Sequence, residues 1–170
     1  GKEKMALKNK RYVEWYSAAL EQSPDDAHIH FLLANKLSAL GRKEEALEHY
    51  TRSADLAKGT AFGIESLEKR ADILLQLKKL PEAAAAVEEL TNIDPNNIPA
   101  RNVAASIMLV IGKVDNAIAI LQEALSIKVE GRIESIYQTQ AMPNLLLGKA
   151  YDLKGEIEKA QDYYAVVRKI

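Results

Sequence analysis

Leu40-Gly41-Arg42-Lys43-Glu44-Glu45-Ala46 can be laid over Ile111-Gly112-Lys113-Val114-Asp115-Asn116-Ala117 and over Lys154-Gly155-Glu156-Ile157-Glu158-Lys159-Ala160. Each is a short polar turn carrying Gly that runs into an Ala at a fixed offset. A fourth copy, Leu77-Lys78-Lys79-Leu80-Pro81-Glu82-Ala83, keeps the Ala and has Lys where the others have Gly. Segments that recur at about 34 residues are the mark of stacked helix pairs, because one pair cannot bury its apolar face alone.

Working outward from these turns gives four repeats. They start at Ala27, Ile64, Ile98 and Ala141, with steps of 37, 34 and 43 residues. The predicted layout is a single array: a half repeat at 5–22, repeat 1 at 27–58, repeat 2 at 64–97, repeat 3 at 98–131, an insertion at 132–140 and repeat 4 at 141–170. Gly59, Thr60 and Gly63 fall where the extra residues of the first step lie. Ile133, Ile136 and Tyr137 keep helical spacing, so the insertion is expected to extend the first helix of repeat 4 backwards, bent or tightened by Pro143.

Apolar residues recur at i, i+3 or i+4, and i+7 within each repeat, as two amphipathic helices require. Repeat 1 carries Leu33, Ala34 and Leu37, then Ala46, Tyr50 and Ser53. Repeat 4 carries Leu147, Gly148 and Tyr151, then Ala160, Tyr164 and Val167. A small residue at position 8 and an Ala at position 20 let the two helices of a repeat, A and B, approach closely. Asn97 is an expected N-cap, with Pro99 in the first turn behind it.

Composition excludes several chemistries. No cysteine is present, which removes disulfides and thiolate sites, and the formal net charge of −1 favours neither nucleic acid nor an anionic membrane. No apolar run reaches transmembrane length. The chain opens on Gly1 rather than Met, which reads as a processed or excised fragment, and neither cytoplasm nor periplasm is selected. No G-x-S-x-G, phosphate-cradling Gly loop or H-E-x-x-H occurs, so no enzyme, cofactor or metal is expected. His28 and His30 point to different helix faces and His49 lies in another helix. The basic run Lys2, Lys4, Lys8, Lys10 and Arg11 reads as a solvated helix face.

The pattern resembles the tetratricopeptide repeat: large, Leu, Gly or Ala, and Tyr at positions 4, 7, 8 and 11, then Ala, aromatic, Ala at 20, 24 and 27, and Pro at 32. Repeat 4 is close, with Leu147, Gly148, Tyr151, Ala160 and Tyr164. Departures are Arg70, Arg101, and Lys58 and Val129 where Pro is usual. The resemblance implies an all-α, right-handed solenoid of antiparallel helix pairs whose A helices line a concave groove, and a non-catalytic scaffold or adaptor that binds a protein segment there.

Mapping the family's groove positions onto this chain gives the candidate peptide-binding residues. They are Phe31, Leu32 and Asn35 in repeat 1, and Lys69 and Asp72 in repeat 2. Repeat 3 supplies Asn102, Val103, Ser106 and Leu109, and repeat 4 supplies Leu145, Leu146 and Lys149. Apolar groups among asparagines suit an apolar helix or extended peptide, with the amides bonding its backbone; packing on a neighbouring helix is the competing reading. The family's carboxylate clamp is not matched, since its positions hold Phe31, Asn35, Lys69, Pro99 and Val103 and only Asn35 fits. The runner-up functions are self-assembly through uncapped terminal helices and a regulatory domain of a larger protein.

Overall fold

The computed structural model describes residues 2–128 and 135–170. Every regular element among them is helical: α1 (Lys2–Gln22), α2 (Ala27–Ala39), α3 (Lys43–Leu56), α4 (Ala61–Gln76), α5 (Leu80–Ile93), α6 (Ile98–Val110), α7 (Val114–Ser126), a π-helical turn (Tyr137–Ala141), α8 (Met142–Leu153) and α9 (Ile157–Val167). They form two compact units, residues 1–86 and 87–170.

The polar turns that define the period close with one hydrogen-bond pattern. In α2–α3, α4–α5, α6–α7 and α8–α9 a backbone N–H reaches back five residues: Arg42 to Leu37 O at 2.9 Å, Lys79 to Leu74 O at 2.9 Å, Lys113 to Met108 O at 2.8 Å and Glu156 to Tyr151 O at 3.0 Å. This is the Schellman closure, which places its penultimate residue in the left-handed region. Gly41, Gly112 and Gly155 sit there at φ 77°, 78° and 75°, and Lys78 adopts φ 59° in the Gly-less copy. The period is therefore set by a backbone bond that Gly eases and Lys78 forms at a steric cost.

Between repeats, side chains cap the A helices. Asp26 accepts from Ile29 N at 2.9 Å, Thr60 from Gly63 N at 3.0 Å and Asn97 from Ala100 N at 2.8 Å. In the N-terminal unit α1, α2, α3 and α4 pack in sequence, around Phe31, Leu33, Leu37, Tyr50 and Ile73. In the C-terminal unit α6, α7, α8 and α9 surround Leu121, Leu146, Leu147 and Tyr151. The small residues expected at helix crossings, Ala34, Ala71, Ala105, Ala46, Ala83, Ala117 and Ala160, are all 0% exposed.

Both irregular steps take a definite form. The extra residues before repeat 2 become a cap and an added first turn of α4, and Gly63 within it leaves no room for a Cβ, which would lie 2.1 Å from Ala57 O. Ile133 lies outside the described residues. From Ile136 the insertion does run into α8, but it widens into a π turn instead of tightening. The widening falls just before Pro143, which has no N–H to offer the carbonyl four residues back, and within it Met142 N bonds Tyr137 O, five residues back.

Candidate functional site

In the N-terminal unit the expected site residues come from α2 and α4. Leu32, Asn35 and Lys69 are half-buried and Asp72 is exposed. Tyr50, reaching across from α3, donates its hydroxyl to Asn35 Oδ1 at 2.7 Å, which fixes the amide's orientation. Burial, then the Asp72 and Glu65 carboxylates, push the Tyr50 phenol well above its ordinary range. The phenol therefore stays a neutral donor and the acids of α4 lie close to it. Asp72 also accepts from Gln76 Nε2 at 2.8 Å.

Phe31 does not face outward. It is 9% exposed, with its ring packed edge-on against Phe62 at 4.8 Å and Tyr50 at 6.0 Å. Phe62 belongs to the turn added to α4, so the irregular step covers a position that an unmodified repeat would leave open.

The C-terminal unit shows the same effect. Asn102 is 4% exposed and Val103 7%, and Asn102 Nδ2 donates to Gln138 O at 2.8 Å, in the π turn. Leu146 is 6% exposed and sits inside the core with Ala117, Ile118 and Leu121. The orientation expected of Phe31, Asn102, Val103 and Leu146 is corrected by these contacts: at these four positions packing takes the side chain. Leu109 and Leu145 are half-buried, Ser106 is half-buried and bonds Asn102 O at 2.8 Å, and Lys149 is exposed.

Sequence spacing missed one constellation. His30 and His49 meet across the α2–α3 hairpin with Nδ1 to Nδ1 at 2.8 Å, while His30 Nε2 lies 2.9 Å from Pro24 O. A proton on His30 Nε2 serves that carbonyl, so His30 Nδ1 accepts and His49 Nδ1 donates. Burial and then the neighbouring His30 lower the His49 pKa, against smaller opposing effects of Glu48 and Glu45. His28 instead packs edge-on against Phe62 at 5.5 Å. Among the described residues no group of three or more His, Asp or Glu side chains could hold a metal ion.

With the helix hairpins and their closure established, comparison with known proteins names the class. Two models of the tetratricopeptide repeat match the chain, over residues 15–48 and 64–97. Residues 15–48 and 64–97 are thus tetratricopeptide repeats, and members of that family are in general non-catalytic scaffolds for protein contacts. No curated protein matches it by sequence.

Solved structures match its all-α fold along nearly its whole length. A MamA fragment (41-end) from Desulfovibrio magneticus RS-1 is 13% identical, with 99% of this chain and 92% of that one covered at a TM-score of 0.71. TTC0263, a thermophilic TPR protein of Thermus thermophilus, is 18% identical over 99% and 91%, at 0.70. YrrB, a TPR protein with an unusual peptide-binding site, is 15% identical over 96% and 78%, at 0.62.

Proposed function

We propose that the chain is a non-catalytic adaptor that binds a protein segment on the exposed faces of its A helices. The observation that carries this reading is the rigid hydrogen-bonding group on α2 and α4: Asn35 held by Tyr50, with Asp72 open to solvent beside Lys69. An amide fixed by a buried phenol is pre-organised to bond a ligand backbone, because its rotamer freedom is already spent. Half-buried Leu32 in the N-terminal unit, and Leu109 and Leu145 in the C-terminal unit, supply short apolar contacts. Phe31, Val103 and Leu146 are left to the core. YrrB, with its peptide-binding site, supports the reading by likeness of fold.

The reading is tested by capture from a source lysate, comparing the native chain with Leu32→Glu/Leu145→Glu. Both positions are partly open, so the variant should keep its helical circular dichroism while losing the captured partner. Retention of the same partner by a folded variant would overturn the proposal. A chain that captures nothing and gains mass with concentration would replace it with self-assembly.

A further inference from the structure

The α1 helix carries a second surface, separate from the A-helix faces. Lys4, Lys8, Arg11 and Trp15 fall at i, i+4, i+7 and i+11 and so share one stripe of the helix. The acids of α1, Glu3, Glu14 and Glu21, fall on another side. Trp15 is 66% exposed. It stacks on Tyr16 at 5.7 Å and lies 6.3 Å from Tyr12, so its ring is braced and not free to fold away.

Two cations bracket the same aromatic group: Lys8 Nζ lies 5.8 Å from the Tyr12 ring and Lys36 Nζ, arriving from α2, lies 5.2 Å from it. Among the described residues none of Lys4, Lys8, Arg11 or Lys36 is paired with an acid. A merely solvated helix face does not require a braced tryptophan, nor a lysine contributed by a neighbouring helix.

We propose that this stripe is a docking site for an acidic protein segment, whose carboxylates pair with Lys4, Lys8, Arg11 and Lys36 and whose apolar side chain seats on Trp15. Charge complementarity selects the partner's sign, and the exposed ring supplies an aromatic anchor that binding would desolvate, of the kind that dominates interfaces. An anionic bilayer is the poorer occupant. Val13, Tyr16 and Leu20 of α1 are already packed against the N-terminal core, which leaves only Met5, Leu7 and Trp15 as exposed large apolar groups of that helix for insertion.

Trp15 is the chain's one tryptophan, so its fluorescence reads the site directly. The probes are a twelve-residue peptide of repeating Glu-Glu-Leu, its Gln-Gln-Leu counterpart, and vesicles of phosphatidylserine and phosphatidylcholine. The acidic peptide should change Trp15 emission saturably. Its affinity, checked by calorimetry, should fall at least about tenfold with Lys8→Glu/Arg11→Glu, and again when NaCl is raised to about 0.5 M, where screening shortens to a few ångströms. The neutralising pair Lys8→Gln/Arg11→Gln should weaken it less, which separates charge from any loss of fold. Equal binding of the two peptides, indifference to both variants, binding of the vesicles alone, or no binding of the acidic peptide would each overturn the proposal.

Discussion

Gly148→Ala isolates the close A–B helix contact on which every repeat depends. A Cβ built at Gly148 would lie 2.4 Å from Tyr164 Cε1, 2.7 Å from Cδ1 and 2.8 Å from Cζ. One edge of the ring is therefore met, and it has to retreat by about 1 Å to reach ordinary carbon contact near 3.5 Å. The ring is tethered, because the Tyr164 hydroxyl donates to Asp152 Oδ2 at 2.6 Å; that bond pushes the phenol up to about 12. Overpacking of this kind costs about 1–3 kcal/mol, and straining the hydroxyl bond adds about 0.5–1 kcal/mol. The gain in helix propensity from Gly to Ala offsets about 1 kcal/mol. The net expectation is a loss of about 0.5–3 kcal/mol, seen as a lower urea midpoint and a Tm reduced by about 1–12 °C. In a Tyr164→Ala background the obstacle is gone, so the same substitution should stabilise by about 1 kcal/mol through helix propensity alone. A penalty of equal size in both backgrounds would refute the reasoning, since it would place the restriction in the backbone.

Three further outcomes follow from the structure. Lys78→Gly should stabilise by about 0.5–1 kcal/mol in urea titration, because φ 59° penalises a Cβ more than Gly costs in chain entropy; a loss would mean that Lys78 is not strained. The His49 pKa lies below its ordinary value, so the folded chain binds fewer protons than the unfolded one. Its contribution to stability is thus full above about pH 6.5 and is lost as pH falls from there through the folded value. His49→Gln, which can still donate to His30, should flatten that acid limb in Tm against pH, and an unchanged slope would contradict the pairing. Leu146→Glu buries a carboxylate in the C-terminal core and should cost at least about 3 kcal/mol, read by urea unfolding, whereas a folded and stable Leu146→Glu would return that position to the surface.

What was legible in the sequence was what each repeat determines locally. The Gly-to-Ala turns, the Asn97 cap and the small residues at helix crossings follow from hydrogen bonding and volume within a helix pair. The candidate site was less legible, because a position's helical phase says which way a side chain leaves its helix but not what meets it there. Phe31 is covered by Phe62, and Asn102 is bonded by the carbonyl of Gln138. Both covering groups come from departures in the period, the added turn of α4 and the turn before α8. The π geometry was hidden for a related reason: Pro143 announces a missing bond but not how the chain replaces it. The His30–His49 contact joins residues nineteen apart across a hairpin, a separation that no single-helix pattern can show.

The most direct test of the adaptor reading is site-specific photocrosslinking to whatever partner the chain captures. Photoreactive residues at Asp72 on α4 and Lys149 on α8, both exposed on A helices, are compared with Glu48 on α3 and Gln122 on α7, both exposed on B helices. The account predicts adducts from the A-helix positions and none from the B-helix positions. Adducts confined to Glu48 and Gln122 would contradict it.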